Sequence, residues 1–150
     1  MVSKKTIEDF YTSKKLAVVG VSRSGRKFGN SALKELKAKG YTTYPVNPNA
    51  KEIDGEKCYK SLKTLPEKVD GAVIVVPPAE AVKAVKDAVE AGINKVWFQQ
   101  GSQSDNAIRF CQANGVSAVY GECILMFAEP VAGFHKFHRT VKKIFGKIPK

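Results

Sequence analysis

The sequence predicts an α/β protein: helices wound on both faces of a mainly parallel sheet of five to six strands, in a single domain. Three observations predict it. Short β-favouring runs alternate along the chain with amphipathic helical patterns. Two of those runs, Leu16-Ala17-Val18-Val19 and Ala72-Val73-Ile74-Val75-Val76, are continuously apolar, as strands covered on both faces should be. The length of 150 residues suits one domain that buries its core without disulfides or metals.

Taken in order, Thr6 to Ser13 reads as a short leading helix, and Leu16 to Val19 as a strand ending at Gly20. Phe28, Ala32, Leu33 and Leu36 then fall on one face of a helix, which Gly40 stops. Tyr41 to Val46 is the second strand, halted by Asn47-Pro48. In the looser stretch that follows, Asp54-Gly55 forms a turn and Glu56 to Tyr59 a short edge strand. The run from Ala72 to Val76 is closed by Pro77-Pro78, and proline suits the first position of the next helix. That helix is expected to bury Val82, Val85 and Val89 and to end at Gly92. Lys95 to Phe98 is a strand, followed by Gln99-Gln100-Gly101 and a helix in which Ser102 and Asp105 form the capping box and Ile108 and Cys111 face inward. Ser117 to Tyr120 completes the sheet. This βα rhythm is Rossmann-like and fills residues 1–128. Residues 129–150 differ: Phe134, Phe137, Val141 and Ile144 or Phe145 recur at helical spacing among lysines and Arg139. They read as a basic amphipathic C-terminal helix that packs on the domain, pairs two chains, or lies on a membrane.

Composition narrows the function classes. No apolar run reaches the ~20 residues of a membrane span, and the charged segment Met1 to Lys14 lacks the apolar stretch of a signal peptide. A cytoplasmic location is expected. Cys58, Cys111 and Cys123 are odd in number and widely spaced, which argues against a disulfide framework or a zinc site. His135 and His138 read as exposed helix histidines. With 25 Lys and Arg against 14 Asp and Glu, the net charge of +11 favours an anionic partner. The lysines are scattered among carboxylates, as in Lys34-Glu35-Leu36-Lys37, so solvated faces explain them better than a nucleic-acid stripe.

In parallel sheets ligands bind at the carboxyl ends of the strands, so the loops there carry the functional signal. In Gly20-Val21-Ser22-Arg23-Ser24-Gly25-Arg26-Lys27-Phe28-Gly29, glycines permit close backbone approach and serines donate hydroxyls, while Arg23, Arg26 and Lys27 supply charge ahead of a helix N-terminus. That suits a pyrophosphate, although the loop is neither G-x-G-x-x-G nor a Walker motif. The second strand ends Pro45-Val46-Asn47-Pro48, without the acid that holds the ribose of NAD. An NADP site would accept that loss and use a base such as Lys51. Val76-Pro77-Pro78 offers a stiff apolar rim, and Gln99-Gln100-Gly101 offers amides and an open backbone.

In series, these segments resemble the coenzyme A-binding proteins related to the N-terminal domain of the succinyl-CoA synthetase α-subunit, and particularly their stand-alone single-domain members. The matching stretches are Val18 to Arg23, Lys27 to Asn30, Gly40-Tyr41, Tyr44 to Pro48, Leu65 to Asp70, Val73 to Pro78, Val96 to Gln99 with Gly101, and Gly121 to Ile124. The resemblance implies coenzyme A, or an acyl-CoA, laid across the strand ends. Gly20, Val21, Ser22, Arg23, Arg26 and Lys27 would take its phosphates, and Asn47, Pro48, Val76, Pro77 and Pro78 would border its adenosine. Gln100, Gly101 and Cys123 would lie toward the pantetheine arm. Cys123 would then stand either as a thiol able to exchange with coenzyme A or as a small apolar residue. Gln100 departs from the proline of many relatives. The synthetase's phosphohistidine domain has no counterpart in residues 1–150, so its ligase activity is not implied. The expectation is a non-catalytic coenzyme A binder acting as carrier, sensor or regulator. The alternatives are an NADP-dependent oxidoreductase and a basic protein associated with nucleic acid or membrane.

Overall fold

The computed structural model describes residues 4–10, 12–22, 28–53, 55–122 and 124. Its elements run α1 (Lys4–Phe10), β1 (Lys15–Val19), α2 (Phe28–Ala38), β2 (Thr42–Val46), β3 (Glu52–Ile53), β4 (Glu56–Lys57), a 3-10 turn (Leu62–Thr64), β5 (Gly71–Ile74), α3 (Pro78–Glu90), β6 (Lys95–Gln99), α4 (Asp105–Ala113) and β7 (Ser117–Glu122). The apolar runs become central strands because helices cover both of their faces. Leu16, Val18, Val73, Trp97 and Val119 pack with Ile7 and Phe10 of α1 and with Ala32, Leu33 and Leu36 of α2. Their neighbours in sequence, Ala17, Ala72, Ile74, Val96 and Phe98, point the other way, onto Ala81, Ala84, Val85 and Ala88 of α3 and Ala107 and Cys111 of α4. The two-residue side-chain period of a strand produces this partition.

Among the described residues the main sheet has five strands in the order β2-β1-β5-β6-β7, and every pairing is parallel. The chain therefore winds outward from β1 in one direction, then returns past it to β5 and winds in the other. Between β1 and β5 lies the topological switch, where the strand ends splay and leave a crevice. The expected doubly wound architecture is present, with its strand number at the lower expected value.

Several local expectations are corrected. The leading helix ends at Phe10, not Ser13, because Thr12 and Ser13 turn back to hydrogen-bond the carbonyls of Asp9 and Phe10. The stretch Glu56 to Tyr59 does not form one edge strand. Its first half pairs antiparallel with β3 in a small hairpin, and Tyr59 makes a lone parallel bridge to Val46. On α3 the buried stripe is Ala81, Ala84, Val85 and Ala88, while Val82 and Val89 are only half-buried. On α4 Ala107 rather than Ile108 joins Cys111 in the core. The cap of α4 is Ser104, whose hydroxyl accepts from the Ala107 N–H at 3.1 Å; Ser102 is itself buried beneath the turn. Phe28 is 37% exposed, and Gly29 and Asn30 take the inward positions instead. The C-terminal extension 129–150 lies outside the described residues.

At the sheet's amino end, Asp70 ties β1 to the start of β5. Its carboxylate accepts from the Lys14 and Lys15 N–H groups at 2.9 and 3.1 Å. These bonds, the Lys14 one foremost, hold its pKa below the ordinary Asp value of 3.8, with Lys95 and Lys15 adding charge. Because the folded value is depressed, the stability from Asp70 is present above that ordinary value and is lost as pH falls through the folded one. Asp70→Asn should lower the urea midpoint at pH 7, and the gap to wild type should narrow under acid; a gap independent of pH would refute this.

Candidate functional site

Three strand ends converge at the switch point. Val19 to Ser22 after β1, Val46 to Asn49 across the end of β2, and Val75 to Pro77 after β5 line one cleft of about 320 Å³, joined by Glu80 from the first turn of α3. Backbone hydrogen bonds hold these loops in register beyond the strands: Val75 N–H donates to Val19 at 2.7 Å and Gly20 N–H to Val46 at 3.3 Å. The cleft thus stands on the rigid part of the sheet.

Two glycines permit its shape. Gly20 has φ +114°, and a Cβ placed on it would lie 2.2 Å from the Val75 carbonyl oxygen. A Cβ on Gly29 would lie 2.7 Å from the Gly20 oxygen. The start of α2 is consequently pressed against the turn leaving β1, the arrangement that turns helix N–H groups and the positive end of the helix dipole toward an anion.

Two asparagines fix the turn. The side chain of Asn30, 5% exposed, grips Ser22 at both polar atoms: its Oδ1 accepts from Ser22 N–H at 2.8 Å and its Nδ2 donates to the Ser22 carbonyl at 2.9 Å. Asn47 donates from Nδ2 to the Val21 carbonyl at 2.7 Å and accepts from Asn49 N–H at 2.7 Å. The Val21 and Ser22 carbonyls are both engaged by amides, so less negative charge is left for an anion in the cleft to meet.

Of the sequence-expected site residues, Gly20, Val21, Ser22, Asn47, Pro48, Val76 and Pro77 line this single cleft. Pro78 is exposed beside it as the first residue of α3. Gln100 and Gly101 lie one strand further, exposed at the end of β6, and do not line it. Arg23, Arg26, Lys27 and Cys123 lie outside the described residues. Gln99 proves to be an anchor: it is buried, and its Oε1 accepts from the Ile124 N–H at 3.0 Å, tying the end of β6 to the segment after β7.

Sequence reasoning missed Asn30 as the clamp and Glu80 as a wall. The first had a signal in its position just inside a helix behind a glycine-rich loop. The second had none, because it enters from a helix on the opposite wall. One further hollow adjoins the cleft, and another lies beyond that one. A recess of about 140 Å³ shares Val19, Val46, Pro48, Val76 and Glu80 with it and continues to Lys60, Leu62, Ala84 and Asp87. A second hollow of about 340 Å³ shares Lys60 with that recess and includes Lys51, Lys57 and Tyr59; among the described residues no carboxylate lines it. Lys57 lies over the Tyr59 ring, 5.4 Å from its centroid.

Chemically the cleft offers backbone, hydroxyl and amide groups for binding, with the carboxylate of Glu80 on one wall. Among the described residues no cluster of His, Cys, Asp and Glu could hold a metal, and no helix is long and apolar enough to cross a membrane. Burial pushes the Cys58 thiol up, and the Cys111 thiol up to about 11, so neither supplies a thiolate near neutral pH.

Known proteins share this architecture. A family model described as "CoA binding domain" matches residues 14–129. An ADP-forming acetate–CoA ligase of Archaeoglobus fulgidus is 31% identical over 144 residues, which is 89% of this chain but 21% of the ligase. The chain thus spans only a small part of the ligases it matches. Among solved structures, a conserved hypothetical protein from Pyrococcus furiosus is 47% identical and superposes with a TM-score of 0.71, covering 75% of this chain and 97% of its own. A hypothetical protein from Pyrococcus horikoshii superposes with a TM-score of 0.79 at 28% identity, over 94% and 93% of the two chains.

Proposed function

The chain belongs to the CoA-binding domain family, and from that premise we propose that it binds coenzyme A or an acyl-CoA across the carboxyl ends of β1, β2 and β5, as a non-catalytic carrier, sensor or regulatory protein. The observation that carries this reading is the turn Gly20-Val21-Ser22, pressed against α2 through Gly29 and clamped by Asn30 and Asn47 at the mouth of a 320 Å³ cleft. A turn held this way is pre-organised for a pyrophosphate, so little ordering is left to be done on binding. Arg23, Arg26 and Lys27 follow it in sequence and supply the balancing charge. Asn47, Pro48, Val76, Pro77 and Pro78 border the adenosine. Lys51, Lys57 and Lys60, gathered in the hollow beyond, suit the phosphate on its ribose. Gln100, Gly101 and Cys123 lie toward the pantetheine arm.

The same three lysines favour one second reading, an NADP site, because NADP also carries a phosphate on its adenosine ribose. Calorimetric titration with coenzyme A, acetyl-CoA, NADP and ATP separates the two. Coenzyme A and acetyl-CoA are expected to bind one per chain, with NADP and ATP weaker; binding of NADP alone would overturn the coenzyme A reading. A carrier or sensor returns coenzyme A and acetyl-CoA chemically unchanged, and their recovery intact after prolonged incubation is the corresponding expectation.

A further inference from the structure

Glu80 is an odd wall for a cleft that receives a polyanion. It lines both the 320 Å³ cleft and the 140 Å³ recess, and the first turn of α3 carries it there, with its N–H on the Pro77 carbonyl at 2.8 Å. The other carboxylate of the recess, Asp87, is paired with Lys83 at 3.2 Å and Lys63 at 3.8 Å. The Glu80 carboxylate has no cationic partner among the described residues. Lys60 and Lys83 line the same recess without contacting that carboxylate, and a carboxylate with no cation in contact weakens phosphate binding here unless it faces a neutral, hydrogen-donating part of the ligand.

A carboxylate only accepts hydrogen bonds. The adenosine part of coenzyme A offers two kinds of donor, the amino group of the base and a ribose hydroxyl. The recess decides between them: most of its surface is apolar, from Val19, Val46, Leu62, Val76 and Ala84, with Lys60, Ser61, Lys83 and Asp87 as its polar remainder and Glu80 at the edge shared with the main cleft. Such walls fit the flat base, and a base seated there directs its amino group to the polar rim.

We infer that Glu80 is a specificity-determining residue, accepting a hydrogen bond from the adenine amino group; this rests on the coenzyme A reading and deepens it. The acid that a dinucleotide site places after its second strand is absent here, and one from the facing helix reads the base instead.

The test titrates wild type and Glu80→Ala by calorimetry with coenzyme A and with etheno-coenzyme A, in which an added ring ties up the adenine amino nitrogen. Wild type should prefer coenzyme A by about tenfold, the scale of one charge-assisted hydrogen bond. In Glu80→Ala the affinity for coenzyme A should fall while that for the etheno compound stays, bringing the ratio to about one. Glu80 is exposed, so the variant should keep its thermal midpoint, and its etheno affinity reports an intact site. The same preference in both proteins would overturn the assignment while leaving coenzyme A as ligand. Failure of wild type to bind either compound would remove the ligand itself, and Glu80's role with it.

Discussion

Gly20→Ala is expected to destabilise the protein by about 3 kcal/mol and to abolish measurable coenzyme A binding, the largest effect of any single methyl group in the cleft. Two costs add. An L-residue at φ +114° is strained, and its Cβ would lie 2.2 Å from the Val75 carbonyl oxygen. That oxygen cannot yield cheaply, because the neighbouring Val75 N–H is bonded to Val19 at 2.7 Å and holds β1 and β5 in register. Relief must come from moving the turn, which carries Ser22 away from Asn30. Gly101→Ala is the control: its φ is +91°, but a Cβ there meets nothing within 4 Å, so only backbone strain remains, about 1 kcal/mol. Urea midpoints and titration of both variants check the contrast; equal losses would show that the Val75 contact is unimportant.

The second large effect belongs to Asn30. Asn30→Ala takes the Asn30 amide from the half-buried N–H and carbonyl of Ser22, and a loss of about 1–3 kcal/mol follows. Coenzyme A affinity should fall by about tenfold or more, since the freed turn must be ordered on binding. Asn30→Asp separates the two bonds. It keeps an acceptor for the Ser22 N–H but sets a charged oxygen against the Ser22 carbonyl, 2.9 Å from the present Nδ2. It should therefore be no better than alanine in stability and worse in binding, because the added charge would face the phosphates of the proposed ligand. An Asn30→Asp protein that folds and binds like wild type would remove the clamp from the account. Asn47→Ala, at a half-buried position, should follow the same direction with a smaller loss.

Much of the fold is legible in the chain because local pattern and burial agree. Leu16 to Val19 and the run from Ala72 are apolar without interruption, and both become strands covered on two faces. Gly40 and Gly92 close α2 and α3 with positive φ, as their places after helical patterns imply. Pro78 opens α3. The misreadings occur where several residues satisfy a pattern equally. Val82, Val85 and Val89 make a helical stripe, but so do Ala81, Ala84, Val85 and Ala88. The sheet selects the second because small side chains let the helix approach closely. Ser102 and Ser104 both precede α4, and the turn after β6, where the Ser102 N–H donates to the Gln99 carbonyl at 2.8 Å, makes Ser104 the cap. The run from Ala72 to Val76 is uniform in sequence, yet β5 ends at Ile74, because Val75 and Val76 turn into the cleft wall.

By itself, the sequence determined that the chain alternates strands with helices, and that glycine, asparagine and proline mark the strand ends where we propose a phosphate-bearing ligand. Periodicity and turn chemistry act between near neighbours, so both are readable along one line. Only the tertiary structure decided the strand order β2-β1-β5, and with it which ends share a cleft: residues 19–22, 46–49 and 75–77, together with Glu80. It also separated Gln100 and Gly101 from that cleft and turned Asn30 inward as its clamp. Strand order depends on which buried faces fit one another across the whole chain, and that fit has no signature in any single stretch of sequence.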